Sequence, residues 1–209
     1  MSISHKAYFF DYSAFERELS QILYSALQDN DFSQLVGFIN NDSSRFTDPA
    51  DEQPLSSNWA EERELNVQWC ADIALSAYYD WTDSRGLNYG FDALDSYLRL
   101  VPEIGRDTDL FVGGSLFGPP GKRLDPGCMG TGMLSSRQAV RIHERLAGID
   151  WIPIPSPGSS VFAGCYYKPE SVEEVEESRD RLVRLYHDAS AADVGLLFVD
   201  FNDRGVAHM

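Results

Sequence analysis

Apolar residues recur at intervals of three and four along much of this chain, which is the spacing of one face of an α-helix. Several of these runs follow a Ser or Asn that stands three residues before a Glu or Gln. Such pairs cap the free amides of a first helical turn. The four pairs are Ser13 with Glu16, Asn58 with Glu61, Ser135 with Gln138, and Ser171 with Glu174. The pattern predicts a helix-rich fold with six helices.

The predicted helices differ in how much of their surface is apolar. The first ends near Gln28, and the second runs from Phe32 to about Ile39. The third begins after Asn58 and ends near Ser84, and its broad apolar face predicts that it is the central, buried helix. The other three begin near Phe91, Ser135 and Ser171.

Two short strands are expected near the ends of the chain. Lys6 to Phe10 is aromatic-rich and is followed by Asp11, as in a strand that leads into a helix. Gly195 to Phe201 is a mostly apolar run, which suits a strand buried on both faces. Together with the helices, these strands predict an α+β fold. We expect a single helix-rich domain over residues 1–209, with a small sheet that includes an N-terminal and a C-terminal strand.

Two segments are predicted to be loops. Residues 40–58 are rich in Asn, Asp and Ser and have few apolar side chains, so we expect an exposed loop. Residues 113–132 contain seven glycines and three prolines, which predicts a long irregular loop. Loops of this length are uncommon unless they are functional or disordered.

The charge of the chain excludes several classes of partner. There are 17 basic and 33 acidic side chains, a formal net charge of −16, and the pI is near 4.5. Such a chain repels phosphate backbones and anionic lipids, so non-specific binding to nucleic acid or to a membrane surface is not expected. No apolar run is long enough to span a membrane, and no secretory signal is visible at the start, so we expect a cytoplasmic protein.

Neither a metal site nor a cofactor site is predicted. The three cysteines are odd in number and form no C-x-x-C pair, which argues against a disulfide framework and against a zinc site. The acidic segment from Asp80 to Ser84 resembles the start of a calcium-binding loop. It fails that test because Arg85 stands at the position of the required glycine, so these side chains are expected to cap a turn.

Three segments of the C-terminal half have the order of features of a known family. They are GFDALDSYLRL, MLSSRQAVRIHERL and RLVRLYHDASAADVGLLFVDF, the last being a helix with Leu-x-x-Tyr that leads into a final strand. In these segments, which cover about half of the chain, the sequence resembles the YfbM-like family of uncharacterised bacterial proteins. The resemblance implies an α+β fold and a small bacterial cytoplasmic protein. It implies no catalytic or binding residue.

The glycine-rich segment is a candidate anion-binding site. Residues 121–145 contain five basic and two acidic side chains, a local excess of positive charge. Glycine amides before a helix, here those of Gly130 and Gly132, together with the side chains of Lys122 and Arg123, would hold a phosphate or carboxylate. The segment lacks the spacing of a nucleotide-binding P-loop. The alternative is a surface loop whose cations pair with the acidic remainder of the molecule.

The same segment contains a candidate nucleophile. Cys128 lies near basic residues and a helix start, which lower the pKa of a thiol, and His143 on the following helix would serve as its base. The alternative is that His143 is a half-buried structural histidine. Cys70 and Cys165 stand among aromatic residues and are expected to be buried thiols.

The acidic surplus is concentrated in two stretches. Residues 42–64 have seven acidic and two basic side chains, and residues 170–193 have eight acidic and three basic. Such faces bind basic proteins in nuclease inhibitors, where complementary charge speeds encounter. The leading hypothesis is therefore a non-enzymatic protein of the immunity or inhibitor type that binds a basic protein partner. The alternatives are solubility alone, or a small-anion-binding protein or Cys-dependent enzyme that uses the glycine-rich loop.

Overall fold

A computed structural model describes residues 3–49, 53–61, 64–87, 90–124 and 132–202. It confirms the predicted α+β class, a single helix-rich domain with a small sheet that includes an N-terminal and a C-terminal strand. The strands are β1 (Ile3–Phe10), β2 (Gly132–Leu134) and β3 (Gly195–Asn202). The eight α-helices of the described residues are α1 (Tyr12–Glu18), α2 (Ser20–Asp29), α3 (Ser33–Asn41), α4 (Val67–Leu75), α5 (Phe91–Leu98), α6 (Thr108–Gly113), α7 (Ser136–Ala147) and α8 (Val172–Ala192).

The C-terminal strand β3 is the centre of the sheet. It pairs antiparallel with β1 on one side and with β2 on the other, in the order β1-β3-β2. Ala7 faces Phe198 across the first pairing, and Met133 faces Leu197 across the second. Residues 196–199 are all buried, which confirms the prediction of a strand covered on both faces.

The sheet separates two apolar clusters because successive side chains of a strand point to opposite faces. Leu196 and Phe198 of β3 lie in a cluster with buried residues of α5, α6, α7 and α8. Leu197 and Val199 lie in a second cluster, with buried residues of α1, α2, α3 and α4. Each half of the chain thus covers mainly one face of the sheet.

Two predicted helix starts are wrong, and in both cases another side chain makes the cap. The first helix is capped by Asp11, whose Oδ1 accepts the amide of Ala14 at 2.9 Å, and it is interrupted at Leu19. The central helix α4 begins after Asn66, whose Oδ1 accepts the amide of Trp69 at 2.8 Å. The burial of α4 is as predicted, since seven of its nine residues are buried.

The C-terminal helices agree closely with their predicted starts. Ser135 and Gln138 form a complete capping box at α7, and the Ser171 hydroxyl accepts the amide of Glu174 at α8. In contrast, α6 was not predicted at all, and the single predicted N-terminal helix is two helices. The described residues therefore contain eight α-helices rather than the six predicted.

Both predicted loops are partly regular or anchored. Residues 40 and 41 belong to α3, and Phe46 is only 2% exposed. The amide of Thr47 donates to the Ser76 hydroxyl at 2.8 Å, which ties this segment to the end of α4. In the glycine-rich segment, Gly113 is the last residue of α6 and Gly132 is the first of β2.

Candidate functional site

Backbone pairing closes the glycine-rich segment at its base. The amide of Ser115 donates to the Met133 carbonyl at 3.1 Å, and the amide of Met133 donates to the Ser115 carbonyl at 3.0 Å. Gly132 has a φ of 151°, and a Cβ there would lie 2.5 Å from the Ser115 oxygen. Gly132 is therefore required for the close approach of two backbones, and the binding of an anion by its amide stays a prediction.

The first part of this loop, up to Leu124, is fixed against α1 and α2. The amide of Leu124, a fully buried residue, donates to the Phe117 carbonyl at 2.7 Å. The Phe117 ring packs edge-on against Phe15 with 5.3 Å between ring centroids. Lys122 Nζ donates to the Gln28 carbonyl near the C-terminal end of α2 at 2.6 Å. Lys122 thus has a structural contact of its own.

The structure brings Lys122 and Arg123 to a cleft of about 520 Å³. The other lining residues come from the end of α2, the loop after it and the start of α4: Leu27, Asn30, Asn66, Val67 and Gln68. Arg123 is exposed, and it makes no hydrogen bond or ion pair within the described part of the chain. The first-turn amides of a helix have no partner within the helix, and they favour anions, as do two adjacent cations. The cleft is therefore suited to a small anion.

The predicted Cys-His pair is only half described. Residues 125–131, including Cys128 and Gly130, lie outside the described residues. His143 is half-buried on α7, as the structural alternative predicted, and its ring packs edge-on against His187 of α8 at 5.5 Å. Its Nδ1 is buried without a hydrogen-bond partner among the described residues.

The other two cysteines are buried thiols, as predicted. Burial raises the pKa of Cys70 to about 11. Burial also raises the pKa of Cys165, whose sulfur lies 3.3 Å from the Ser96 hydroxyl. Neither thiol is ionised near neutral pH, and a thiolate is the form that acts as a nucleophile.

The carboxylate of Asp80 caps a turn, as predicted, whereas the carboxylate of Asp83 forms an ion pair instead. Asp80 Oδ1 accepts the amide of Thr82 at 2.9 Å and its hydroxyl at 2.6 Å, while Asp83 pairs with Arg85 at 2.8 Å. Within the described ranges, no three His, Cys, Asp or Glu side chains are grouped as metal ligands. No described helix has the length and apolar character needed to cross a bilayer.

Helix α8 presents a strongly acidic face to solvent at its N-terminal end. Residues 170–180 have six acidic side chains and one basic one, Arg179. The six, all exposed, are Glu170, Glu173, Glu174, Glu176, Glu177 and Asp180. The buried residues of this helix, such as Val175 and Leu182, pack into the core on its opposite side. Arg179 pairs with Asp180 at 2.9 Å, while Glu173, Glu176 and Glu177 make no ion pair with described residues.

Two exposed tyrosines lie just before this helix. Tyr166 is 60% exposed and Tyr167 is 39% exposed, with 5.3 Å between their ring centroids. Asp92 holds their backbone, because its Oδ2 accepts both amides, at 2.6 Å and 3.1 Å. Sequence reasoning missed this pair, although two adjacent tyrosines in a Pro- and Ser-rich connection are a signal for exposed aromatic surface.

Comparison with known proteins adds no relative. No family model, curated protein or solved structure matches this chain. The resemblance to the YfbM-like family therefore stays a prediction.

Proposed function

We propose that this is a cytoplasmic, non-enzymatic protein that binds a basic protein partner, as immunity proteins and inhibitors do. The observation that carries the proposal is the exposed acidic face at the start of α8, where six carboxylates, five on the helix and Glu170 just before it, accompany a single cation over residues 170–180. Three of these carboxylates, on Glu173, Glu176 and Glu177, have no ion-pair partner among the described residues. They remain available to the cations of a partner.

The adjacent tyrosines support a protein partner rather than counterions alone. Charge complementarity steers encounter and excludes wrong partners, but exposed ion pairs contribute only about 0–1 kcal/mol each. Affinity comes mainly from buried anchors, among which tyrosine is enriched. Tyr166 and Tyr167, fixed through Asp92, place aromatic surface beside the acidic face. An aromatic ring also attracts arginine and lysine through cation–π interaction.

The test measures binding of a fluorescein-labelled peptide of alternating glycine and arginine by fluorescence anisotropy. A triple variant, Glu173→Gln with Glu176→Gln and Glu177→Gln, removes three negative charges from α8. We expect it to weaken binding about tenfold at about 20 mM NaCl, with a smaller difference at about 300 mM because salt screens exposed charges. The same peptide with glutamate in place of arginine is expected not to bind.

The matched control removes three negative charges elsewhere: Asp29→Asn, Glu61→Gln and Glu103→Gln, all exposed in the structure. It changes the net charge by the same amount and is expected to weaken binding less than threefold. Equal weakening by both triple variants would overturn the proposal, since attraction would then depend on the net charge of −16 and not on α8.

A second candidate function is supported by the cleft at Lys122 and Arg123. Here the protein binds a small anion such as phosphate, and a ligand selective for the folded state raises the melting temperature by mass action. We expect phosphate to raise the melting temperature more than sodium chloride of equal ionic strength does. Arg123→Ala is the informative variant, because Lys122 also contacts the Gln28 carbonyl. If phosphate raises the melting temperature of Arg123→Ala by as much as that of the natural chain, this cleft is not the anion-binding site.

A further inference from the structure

A second cleft, of about 370 Å³, lies between the start of α5 and the acidic end of α8. Part of its lining is apolar and comes from three separate places in the chain, at Leu87, Ala93 and Val175. All three residues are at least 97% buried. The cleft therefore has an apolar base that is formed by the core of the domain.

Ser178 of α8 also lines this cleft and is only 7% exposed. Its hydroxyl makes no hydrogen bond with any residue that the structure describes. It lies directly against the backbone of Gly90, where an added Cβ would overlap it. The Ser178 oxygen is not fully enclosed, so a ligand in the cleft would replace water as its hydrogen-bond partner. A hydroxyl both donates and accepts, so it can accept a hydrogen bond from a ligand with a donor group.

Carboxylates and an aromatic ring line the rim of the same cleft. Glu170, Glu174 and Glu177 contribute the carboxylates, and Tyr167 contributes the ring. Glu174 Oε2 already accepts the amide of Glu170 at 2.8 Å, whereas Glu177 has no ion pair among the described residues. Acceptors of hydrogen bonds thus surround an apolar base.

Two cations, Lys168 and Arg181, also line the cleft and nearly balance its three carboxylates. The net charge of the cleft therefore does not determine which ligand binds there. Binding depends on which of the charged groups the ligand contacts closely. Arg181 is one helical turn from Glu177, at the i,i+4 spacing at which opposite charges attract each other. A cationic ligand at Glu177 would compete with Arg181.

We propose that this cleft receives an arginine side chain of the basic partner, so that the inference rests on the function proposed above. The aliphatic stem of arginine covers the apolar base, and its guanidinium carries five donors in a rigid fork. Those donors reach the Glu177 carboxylate and the Ser178 hydroxyl, while the Tyr167 ring offers a cation–π contact. A lysine ammonium is a compact, strongly hydrated point charge and matches this spread of acceptors less well.

The experiment is a titration of the full ¹⁵N-labelled chain with Nα-acetyl-L-arginine amide, followed by amide chemical shifts. We expect saturable shifts at Ala93, Val175 and Ser178. Glu177→Gln is expected to weaken binding at least threefold. The matched control, Glu103→Gln, removes the same charge from an exposed residue outside both the cleft lining and the acidic face of α8 and is expected to have no effect. The citrulline analogue, which has the shape of arginine without its charge, is expected to bind at least threefold more weakly.

One further variant distinguishes a cationic ligand from an anionic one by whether it raises or lowers the affinity. Arg181→Gln is expected to strengthen binding of the arginine probe, because it removes a competing cation. Weaker binding of the arginine probe to this variant, or equal weakening by Glu103→Gln and Glu177→Gln, would overturn the inference.

The two proposals fail in different ways. If the arginine peptide binds through α8 but the single arginine gives no saturable shifts at the cleft, the cleft inference is wrong and the partner proposal stands. If the arginine peptide does not bind, the partner proposal is wrong, and the cleft inference, which rests on it, is overturned with it.

Discussion

At the scale of single residues, His5 is a buried neutral imidazole. Nε2 donates to the Val112 carbonyl, and Nδ1 accepts a hydrogen bond from the Leu87 amide at 3.4 Å. Protonation of Nδ1 would therefore place its N–H opposite the Leu87 N–H, and that hydrogen bond would be lost. Burial, offset in part by the hydrogen bond to Val112, lowers the pKa of His5 from 6.5 to about 4. The side chain also stacks on Phe91 with 5.2 Å between ring centroids.

This lowered pKa predicts a loss of stability in mild acid. Between pH 6.5 and pH 4 the unfolded chain binds a proton at His5 that the folded chain does not, so the free energy of unfolding falls as pH falls. The difference between the pKa of His5 in the unfolded and in the folded chain corresponds to about 3 kcal/mol of unfolding free energy, and all of it is lost below pH 4. Urea denaturation of the natural chain and of His5→Gln across this range measures it.

Because the carboxylates titrate in both proteins, the difference between them isolates His5. We expect His5→Gln to have the lower free energy of unfolding at pH 7.5. The difference in unfolding free energy between the two proteins is expected to become smaller as the pH approaches 4. A gap that stays constant between pH 7.5 and pH 4 would contradict the prediction.

Gly86 is fixed by a close approach to β1. The neighbouring Arg85 amide donates to the Ala7 carbonyl at 2.8 Å, and a Cβ on Gly86 would overlap the backbone of His5 and Lys6. Backbone atoms cannot move aside as a side chain can. We therefore expect Gly86→Ala to lower the free energy of unfolding by about 3 kcal/mol or more, as measured by urea denaturation.

Gly37 provides the matched control. It lies exposed inside α3, and a Cβ there meets no atom within 4 Å. Alanine has the higher helix propensity, so Gly37→Ala is expected to raise the free energy of unfolding by about 0.5–1 kcal/mol. Equal effects of the two substitutions would show that Gly86 is not in close contact with β1.

At the scale of elements, the caps explain where the helices begin. Ser135 and Gln138 satisfy each other's amides at α7 with distances of 3.3 Å and 2.9 Å. These interactions are local, which is why sequence spacing predicted this start correctly. Asp11 and Asn66 also act locally, but the sequence offers Ser13 and Asn58 as further cap candidates, and spacing alone did not distinguish between them.

The capping box at α7 gives a prediction at this scale. Ser135→Ala removes the side-chain acceptor of the Gln138 amide, which keeps only its 3.0 Å bond to the Ser135 carbonyl, and is expected to cost about 1 kcal/mol of stability by thermal or urea denaturation. Ser136→Ala, one residue into the helix, is the control and is expected to change stability by less than about 0.5 kcal/mol. A larger loss in Ser136→Ala than in Ser135→Ala would contradict the assignment of the cap.

At the scale of the whole molecule, a net charge of −16 on 209 residues produces self-repulsion in the folded state. Salt screens this repulsion, with a Debye length of about 30 Å at 0.01 M and about 8 Å at 0.15 M. We expect the melting temperature, followed by circular dichroism, to rise as sodium chloride increases from about 10 to about 300 mM.

The triple Glu173, Glu176 and Glu177 variant is the internal comparison for this effect. It has three fewer negative charges on α8, so its melting temperature is expected to rise less with salt. A melting temperature that falls with salt in the natural chain would mean that attractive ion pairs, such as Arg145 with Asp107 at 3.1 Å, outweigh the repulsion.

The sequence alone determined the parts of this protein that depend on neighbouring residues. Amphipathic spacing located α5, α7 and α8, and the apolar run of β3 indicated burial on both faces, because both patterns record which side of an element avoids water. The exposure of the acidic residues on α8 could also be predicted from the sequence, since a charged residue opposite an apolar stripe faces solvent. Cys70 and Cys165 were predicted to be buried because they stand among aromatic residues.

Only the tertiary structure decided which distant residues meet. Lys122 contacts a carbonyl 94 residues away, and His5 bonds to one 107 residues away. Spacing along the chain carries no information about such pairs, because the sheet order and the two-sided core set them. The same reason explains why the cleft at Ser178, which joins α5 to α8, could not be predicted from sequence. Helix starts and burial follow from local chemistry, whereas clefts depend on how the elements pack together.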